Sequence, residues 1–419
     1  MGLILGIDLC DSFSQISIIT PEGKAEALLP EGTQSGGLIP TAMCRLKEED
    51  AWLIGTEAYQ RALMGQGTMV DKLVMLLTRD GSATLVGRTF SAVELMAAFI
   101  GELLALPRQT YPGEDIEMLS FSLRRLEPEL LERMEEACRL AGLPRERVRF
   151  LSHTECFGYY VAAQPRELWP NQVVAFDLTD AGLDYFEMKV IRGRKPQVME
   201  TYRQPLDEGF DLDLLETTMG ERMADRILSA AADRMLQRKL VSSVFLTGEG
   251  FSSVEWAPEF VKKLCNKRKV FGGQHLFADG AALAALDGCR KGESFPFLLM
   301  CEGRLTSSIS LYAIRDGKNQ QLLLASAGSN WYEARSGAEF ILDDVHALEL
   351  LVTSFSNQRV ETISLSLDEL PARPNKTTRI RLDLFFLSEN QVRVQVEDRG
   401  FGELFPASGL VIRKDFLIS

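Results

Sequence analysis

The same order of strands and turns occurs at two distant places in this sequence. Residues 3–9 (LILGIDL) form an apolar run with an aspartate near its end, and the alternating segment QISIIT and the turn PEGK follow it. Residues 173–200 repeat this order with VVAFD, the loop LTDAG, the segment LDYFEMKVI, the turn RGRK and the segment QVMETYR. Apolar runs and period-two alternation between turn residues are typical of strands. The sequence therefore predicts a structural repeat.

Helical segments with clear end signals lie between and after the two copies. Ser91 and Glu94 form a capping-box pattern before VELMAAFIGELLAL, and Pro128 and Gly142 bracket EPELLERMEEACRLAG. After the second copy, residues 211–240 have a helical pattern, VFLTGEG predicts a buried strand entering a glycine turn, and DGAALAALDG predicts a short helix. Strands that alternate with helices predict an α/β fold that closes by about residue 290.

From about residue 300 the pattern changes to short alternating segments. These segments are TSSISLYAI, QQLLLASA, LELLVTSFS, ETISLSL, TRIRLDLFFL and NQVRVQVED, and they are separated by turns such as RDGK and by the breaker PARPNK. The pattern predicts an all-β sandwich. No helical pattern follows the last strand, which ends in VIRKDFLIS.

Charge and composition exclude several classes of function. The 419 residues suit two or three domains, and 46 Lys and Arg against 59 Asp and Glu give a formal net charge of -13, which argues against nucleic acid as a partner. No apolar run approaches the roughly 20 residues that cross a bilayer, so we expect no membrane insertion and a cytoplasmic protein. Seven cysteines without a Cys-x-x-Cys pair and three scattered histidines support neither a disulfide framework nor a zinc site.

Seven segments of the chain, taken in order, resemble the signatures of the ATPase domain of DnaK-type heat-shock chaperones. They are GIDLCDSFSQIS, VDKLVMLL, SHTECFGYYVAA, VVAFDLTDAGLDYF, LDEGFDLDLLE, VFLTGEGF and FADGAALAAL. The segment RIRLDLFFLSENQVRVQVEDRGFGE is similar to the β-sandwich peptide-binding domain of that family. The resemblance implies a two-lobed actin-like (ribonuclease H-like) α/β fold followed by an all-β sandwich. The implied domains are lobe I at 1–170, a reduced lobe II at 171–292, a linker at 293–304 and a substrate-binding-like β-sandwich at 305–419.

The resemblance also implies a nucleotide site in which one hairpin of each lobe holds the phosphates of ATP. It assigns Asp8 and Asp177 to the aspartates that handle magnesium, and Lys72 together with Asp177 to catalysis if ATPase activity is retained. The nucleotide-binding positions it implies are Asp8, Ser12, Asp177, Gly182, Asp184, Gly248 and Gly250.

Several residues depart from the pattern of that family. Cys10 and Asp11 replace glycine and hydroxyl residues in the first hairpin, and Thr179, Asp180 and Ala181 replace glycines in the second. Small residues allow backbone N–H groups to approach phosphate, whereas carboxylates repel it. Two like charges about 5 Å apart repel by roughly 3 kcal/mol at an effective dielectric near 20, or two decades of affinity. The site is therefore expected to bind Mg-ATP or Mg-ADP weakly at most.

Other departures affect the catalytic region and the base pocket. His153 aligns with the catalytic-region glutamate of the family, with Glu155 as the nearest substitute, and Glu249 replaces a glycine of the adenosine turn. The segment between Glu216 and Leu240 is much shorter than the family's purine-clamping region.

For several candidates a structural role is the commoner outcome. A lone lysine such as Lys72 is usually a helix surface residue, and a histidine such as His153 after an apolar strand is usually hydrogen-bonded structure. Met219, Met223 and Met235 are expected to fill gaps in a core.

These observations predict a DnaK-like protein with a degenerate nucleotide site, without a required cofactor and without enzymatic activity. Its β domain is expected to bind a peptide or protein partner. The alternative is an active ATP-dependent, chaperone-like ATPase whose nucleotide state gates the β domain. A filament-forming or membrane-tethered relative of actin-like division proteins is a third hypothesis. Because no helical lid pattern follows the β domain, we expect peptide exchange there to be rapid.

Overall fold

The computed structural model of this protein describes residues 2–29, 37–193, 196–290 and 295–418. The chain divides into two compact units, residues 1–299 and 300–419. None of the described helices is long and apolar enough to cross a membrane.

The first unit contains seventeen strands and eight helices among its described residues. Its first part consists of β1 (Leu3–Leu9), β2 (Phe13–Ile19), β3 (Ala25–Ala27), β4 (Ile39–Pro40), β5 (Ala42–Leu46), β6 (Trp52–Ile54), α1 (Gly55–Leu63), β7 (Gly67–Asp71), α2 (Leu73–Thr78), β8 (Ser82–Leu85), β9 (Arg88–Ser91), α3 (Ala92–Thr110), β10 (Ile116–Leu123), α4 (Pro128–Leu140), β11 (Val148–Ser152) and α5 (His153–Ala163). Its second part consists of β12 (Gln172–Thr179), β13 (Gly182–Ile191), β14 (Gln197–Leu206), α6 (Thr218–Leu236), β15 (Val241–Thr247), α7 (Pro258–Leu264), β16 (Lys269–Gly272), α8 (Leu276–Cys289) and β17 (Phe297–Met300).

Two sheets with the same strand order form the framework of this unit. The first has the order β11-β10-β1-β2-β3, and the second has the order β16-β15-β12-β13-β14 with β17 added beside β14. In each sheet the first three strands of the chain are antiparallel, and the two later strands run parallel to the first one. The predicted structural repeat is therefore confirmed. It places the carboxyl ends of β1 and β12 at equivalent positions of their sheets.

The strand β17 lies within the predicted linker. Its residues 297–300 pair with the second sheet, so this part of the predicted linker at 293–304 belongs to a sheet. Residues 293 and 294 of that linker lie outside the described residues. So do residues 194 and 195 of the predicted turn RGRK.

Local end signals predicted two helices correctly, whereas the helical pattern of a third segment predicted a helix that is too long. The Ser91 hydroxyl accepts the N–H of Glu94 in a complete capping box, and Pro128 occupies the first turn of α4. The predicted helix at 211–240 begins instead at Thr218, because Thr217 is extended and its side chain caps the N–H of Gly220.

The predicted core positions of the α6 methionines are mostly wrong. Met219 is 81% exposed and Met223 is 57% exposed, whereas Met235 is buried. Methionine spacing alone did not show which side of the helix would be covered.

The helices α5 and α8 each pack on the sheet of the other half of the unit. Helix α8 follows the second sheet but packs on the first, and α5 follows the first sheet but packs on the second. The backbones meet at Gly280, where an added Cβ would lie 2.1 Å from the carbonyl oxygen of Cys156. A second backbone contact joins β1 to α8, since a Cβ on Gly6 would lie 2.2 Å from the amide nitrogen of Ala282. Glycine is required at both contacts because no side chain fits there.

The second unit contains only strands among its described residues. Its elements are β18 (Ser307–Arg315), β19 (Lys318–Ala325), β20 (Arg335–Ile341), β21 (Ala347–Ser354), β22 (Val360–Ser366), β23 (Arg379–Ser388), β24 (Gln391–Asp398) and β25 (Val411–Leu417). They form two four-stranded antiparallel sheets, with the orders β19-β18-β21-β22 and β20-β23-β24-β25. A bidentate ion pair between Arg373 and Asp398 is buried in this unit.

Substitution of Gly280 tests the helix crossing. We expect Gly280→Ala to lower the free energy of unfolding by about 2 kcal/mol or more, because the added Cβ has no room against Cys156. The matched control is Gly101→Ala, since Gly101 lies within α3 and its added Cβ would meet no heavy atom within 4 Å. The control should be neutral or stabilising by up to about 1 kcal/mol. Urea denaturation followed by circular dichroism measures both, and equal effects would contradict a constrained crossing.

Candidate functional site

A cavity of about 220 Å³ lies between the carboxyl ends of β1 and β12. The turn after each of these strands contributes to its wall, as do α2, the segment after β10, the first residue of α5 and the loop after β15. Its charged and polar lining side chains are Asp8, Cys10, Asp11, Ser12, Gln15, Thr78, Arg124, Arg125, Glu127, His153, Asp177, Thr179, Thr247, Glu249 and Gln274.

Asp8, Cys10 and His153 meet at one point of this wall. The distance between His153 Nε2 and Asp8 Oδ1 is 2.9 Å, and the Cys10 thiol donates to Asp8 Oδ2 at 3.8 Å. The same Nε2 atom lies 3.8 Å from the Cys10 sulfur. Asp8 and His153 are buried, and Cys10 is half-buried. Burial, followed by repulsion from Asp8 and Asp177, raises the pKa of the Cys10 thiol well above its ordinary value.

The structure holds the His153 ring in one orientation. His153 is the first residue of α5, directly after the capping residue Ser152, and its ring stacks on Phe277 with 3.9 Å between centroids. Glu155, the expected substitute for a catalytic glutamate, is fully buried and accepts the backbone N–H of Ser152 in the capping box. It is not among the described residues that line the cavity. His153 therefore has the hydrogen-bonded role expected from the sequence, and it lies in the wall of the cavity.

Two carboxyl groups of the cavity wall, Asp177 in β12 and Glu249 after β15, have strongly raised pKa values. Burial raises the pKa of Asp177 to about 6, and His153 and Arg124 partly offset this rise. Burial also raises the pKa of Glu249 to about 7, and repulsion from Asp180 and Asp177 adds to the rise. Removal from water disfavours the charged form of a carboxyl group, which is the physical cause in both cases.

Asp184 is not among the described residues that line the cavity. Its Oδ2 atom accepts from Arg124 at 2.6 Å and from Arg203 at 2.9 Å, and the carboxylate is completely buried. These charge-assisted hydrogen bonds give Asp184 a structural role and pair it with Arg124. Arg124 was not among the site residues predicted from the sequence. Gly182 has a φ of 115° in the β12–β13 turn but does not line the cavity in the described residues.

The remaining predicted site residues divide between the cavity and the surface. Gly248 lines the cavity with a φ of 89°, and a Cβ there would lie 2.5 Å from Asp177 Oδ1. Ser12 also lines it and donates to Asp180 at 3.4 Å, which joins the two hairpin turns. Lys72 is exposed, caps α2 in a left-handed conformation and is absent from the described lining, as is the buried Gly250.

Asp11 makes a local contact that its sequence position did not show. Its Oδ1 atom accepts the backbone N–H of Met75 at 2.7 Å, near the start of α2. The carboxylate therefore connects the first hairpin turn to α2, in addition to lining the cavity.

The residues around Asp8 fit magnesium and nucleotide poorly. Mg²⁺ prefers six oxygen ligands in octahedral geometry, but the donors beside Asp8 are a thiol and an imidazole. The cavity volume of about 220 Å³ is also below the roughly 300–1,000 Å³ of typical small-molecule sites.

The contacts of Arg124 and His153 with this site depend on the fold. Arg124 follows β10, the parallel neighbour of β1, and strand-end reasoning would have found it. Cys10 and His153 are 143 positions apart, and no local pattern connects them.

The fold and cavity define a two-sheet α/β unit with an acidic site between paired hairpins, joined to an all-β unit. Residues 29–302 match the model described as the C-terminal part of a family of unknown function (DUF5716), and the chain belongs to this family. Residues 304–418 match a domain of unknown function (DUF8552), and the limits of both matches lie close to the boundary between the two units. No curated protein matches the chain.

The pKa shifts of Glu249 and Asp177 make a specific pH dependence expected. Both carboxyls have a folded-state pKa above the unfolded value, so the folded state binds more protons at these two groups and their contribution to stability falls as pH rises from about 4 to about 7. Glu249→Gln should be more stable than the wild type at pH 8, by on the order of 1 kcal/mol after allowance for solvent screening.

Urea denaturation at pH 5 and pH 8 measures this difference, which should largely vanish at the lower pH. The control is Glu255→Gln on the exposed surface nearby, which should show no such pH-dependent gain. A Glu249→Gln gain of the same size at both pH values would contradict the assignment.

Proposed function

We propose that this protein is a DnaK-like scaffold whose first unit has an actin-like fold but does not bind nucleotide tightly. Its β unit binds a peptide or protein partner, no cofactor is required, and the protein acts in the cytoplasm. The shared strand order of the two sheets and the hairpins that face one cavity support the actin-like assignment. The acidic lining of that cavity is the observation that carries the functional proposal.

The charge balance of the cavity opposes an ATP phosphate chain. Five carboxylates stand against two guanidinium groups in the described lining; the carboxylates are Asp8, Asp11, Glu127, Asp177 and Glu249, and the cations are Arg124 and Arg125. Arg124 is already paired with Asp184, so little positive charge is left for phosphate. Each carboxylate about 5 Å from a phosphate charge costs roughly 3 kcal/mol at an effective dielectric near 20.

The competing hypothesis is an active ATPase that gates the β unit. One observation favours it: Asp8 and Asp177 occupy equivalent strand ends and line the same cavity. Gly248 lines this cavity beside Asp177 as well. Measurements of nucleotide affinity and turnover separate the two proposals.

Isothermal titration with Mg-ATP tests the nucleotide site. We expect the wild type to bind with a Kd weaker than about 1 mM, because the lining carboxylates repel the phosphates. At pH 8 the double variant Glu127→Gln/Glu249→Gln should bind at least about tenfold more tightly, since two charges of the cavity lining are removed without a change of shape. The control Asp233→Asn/Glu255→Gln removes two surface charges that are absent from the described cavity lining, and it should leave the affinity unchanged.

A different result would support the ATPase hypothesis. Micromolar binding of Mg-ATP by the wild type, with turnover that is lost in Asp177→Ala, would overturn the scaffold proposal.

The hairpin formed by β18 and β19 is the best candidate for contact with a partner. Tyr312, Ile314 and Leu323 are exposed apolar side chains, and their register places them on one face of the hairpin. Among the described strands β19 pairs only with β18, so its other edge is available for strand addition. An extended peptide can pair with such an edge while apolar neighbours contact its side chains.

A panel of short, fluorescently labelled apolar peptides tests this surface by anisotropy with the full chain. We expect Ile314→Asp and Leu323→Asp each to weaken binding about tenfold or more, because a charge replaces apolar contact. Leu417→Asp is the matched control, since Leu417 is 79% exposed on β25 of the other sheet. Peptides that bind wild type and all three variants equally, or that fail to bind the wild type, would rule out this surface.

A further inference from the structure

Three donor atoms of different chemistry converge beside the end of β1. They are a carboxylate oxygen of Asp8, the sulfur of Cys10 and Nε2 of His153, and all three lie within 4.8 Å of one another. The two side chains from the first hairpin and the ring from α5 are brought together by the packing of the first unit.

The spacing of these atoms is close to that of ligands around a tetrahedral metal ion. Zinc bonds of about 2.3 Å to sulfur and about 2.0–2.2 Å to nitrogen and oxygen place neighbouring ligand atoms about 3.3–3.6 Å apart. Here the separations are 3.8 Å for sulfur to Nε2, 3.8 Å for sulfur to Asp8 Oδ2 and 2.9 Å for Nε2 to Asp8 Oδ1. The sulfur–Nε2 and Nε2–Oδ1 separations differ from the tetrahedral values by about half an ångström or less, and the sulfur contact is to the other oxygen of the same carboxylate, Oδ2.

The same geometry excludes a cysteine–histidine–aspartate catalytic relay. Such a relay uses one ring nitrogen toward the nucleophile and the other toward the carboxylate. Cys10 and Asp8 both lie against Nε2 of His153, whereas Nδ1 is buried without a hydrogen-bond partner. One nitrogen cannot serve both neighbours as a hydrogen-bonding atom, but a metal ion can accept an electron pair from all three side chains.

The donor set selects the kind of metal. Sulfur and imidazole ligands favour zinc and similar transition-metal ions, whereas magnesium and calcium take oxygen ligands. Asp177 and Glu249 line the same cavity and add negative charge that favours a cation. On binding, the Cys10 thiol gives its proton to solvent and its sulfur forms the bond to the metal, so a thiolate, a carboxylate and a neutral imidazole balance a divalent ion.

We propose that Asp8, Cys10 and His153 bind one zinc-type divalent ion, with a fourth coordination position open to the cavity. Three protein ligands and one exchangeable position are typical of zinc sites that bind water or a further ligand. The stacking of His153 on Phe277 fixes the ring in the orientation that the site requires. The proposal does not rest on the absence of nucleotide binding or on a partner of the β unit.

Metal titration of the full chain tests the site. The protein is stripped with a chelator, titrated with Zn²⁺ or Co²⁺ in the presence of excess Mg²⁺, and its retained metal is measured by mass spectrometry after gel filtration. We expect one equivalent of either ion and, with Co²⁺, an absorption band from charge transfer between thiolate sulfur and cobalt. Cys10→Ala should abolish that band and weaken binding at least a hundredfold, and His153→Gln should also weaken it.

The controls are Cys265→Ala and His346→Gln. Cys265 is exposed in the first unit, and neither residue belongs to the group at Asp8. Both controls should keep the cobalt spectrum and the stoichiometry of the wild type. Circular dichroism verifies the folding of each variant, and the wild-type cobalt spectrum alone tests thiolate ligation if Cys10→Ala does not fold. Retained metal without the sulfur band, a band that survives Cys10→Ala, or no retained metal in the wild type would overturn the proposal.

Discussion

The close crossing of α5 and α8 is the constraint on which the rest of the first unit depends. At Gly280 and Cys156 the two helices approach without side chains between them. His153 and Phe277 each lie about one helical turn before this crossing, and their rings stack at 3.9 Å. The crossing therefore holds the histidine against the end of β1. Because each helix packs on the sheet of the other half, the same contact also fixes where the ends of β1 and β12 meet.

The two halves share an architecture but differ in the chemistry of their turns. β1 leads to Cys10 and Asp11, while β12 leads to Thr179 and Asp180, and both turns face one cavity. Several charges in this region have structural contacts: Asp11 accepts a backbone N–H of α2, and Asp184 is buried between two arginines. Removal of one partner from a buried pair such as that of Asp184 is strongly destabilising, so this carboxylate is fixed by the fold.

Sequence predicted the parts of this structure that depend on near neighbours. The Ser91 capping box and Pro128 act within one helical turn, so their helices were predicted closely. Met219 was wrongly placed in the core because helical spacing does not show which face another element covers. The meeting of Cys10 and His153 depends on tertiary packing across 143 positions, and scattered cysteines and histidines had argued against any zinc site.

The acidic cavity gives the proposed weak nucleotide binding and the proposed metal site a common physical basis. A carboxylate that repels a phosphate charge by roughly 3 kcal/mol attracts a cation of the same charge magnitude at the same distance by an equal amount. The raised pKa values of Asp177 and Glu249 show that these carboxyls are costly to keep charged where they lie. A divalent ion at Asp8, Cys10 and His153 would stabilise their charged forms, because it supplies the positive charge that the paired Arg124 does not. The two proposals thus depend on the same charges but are tested by different measurements, nucleotide affinity for one and thiolate ligation for the other.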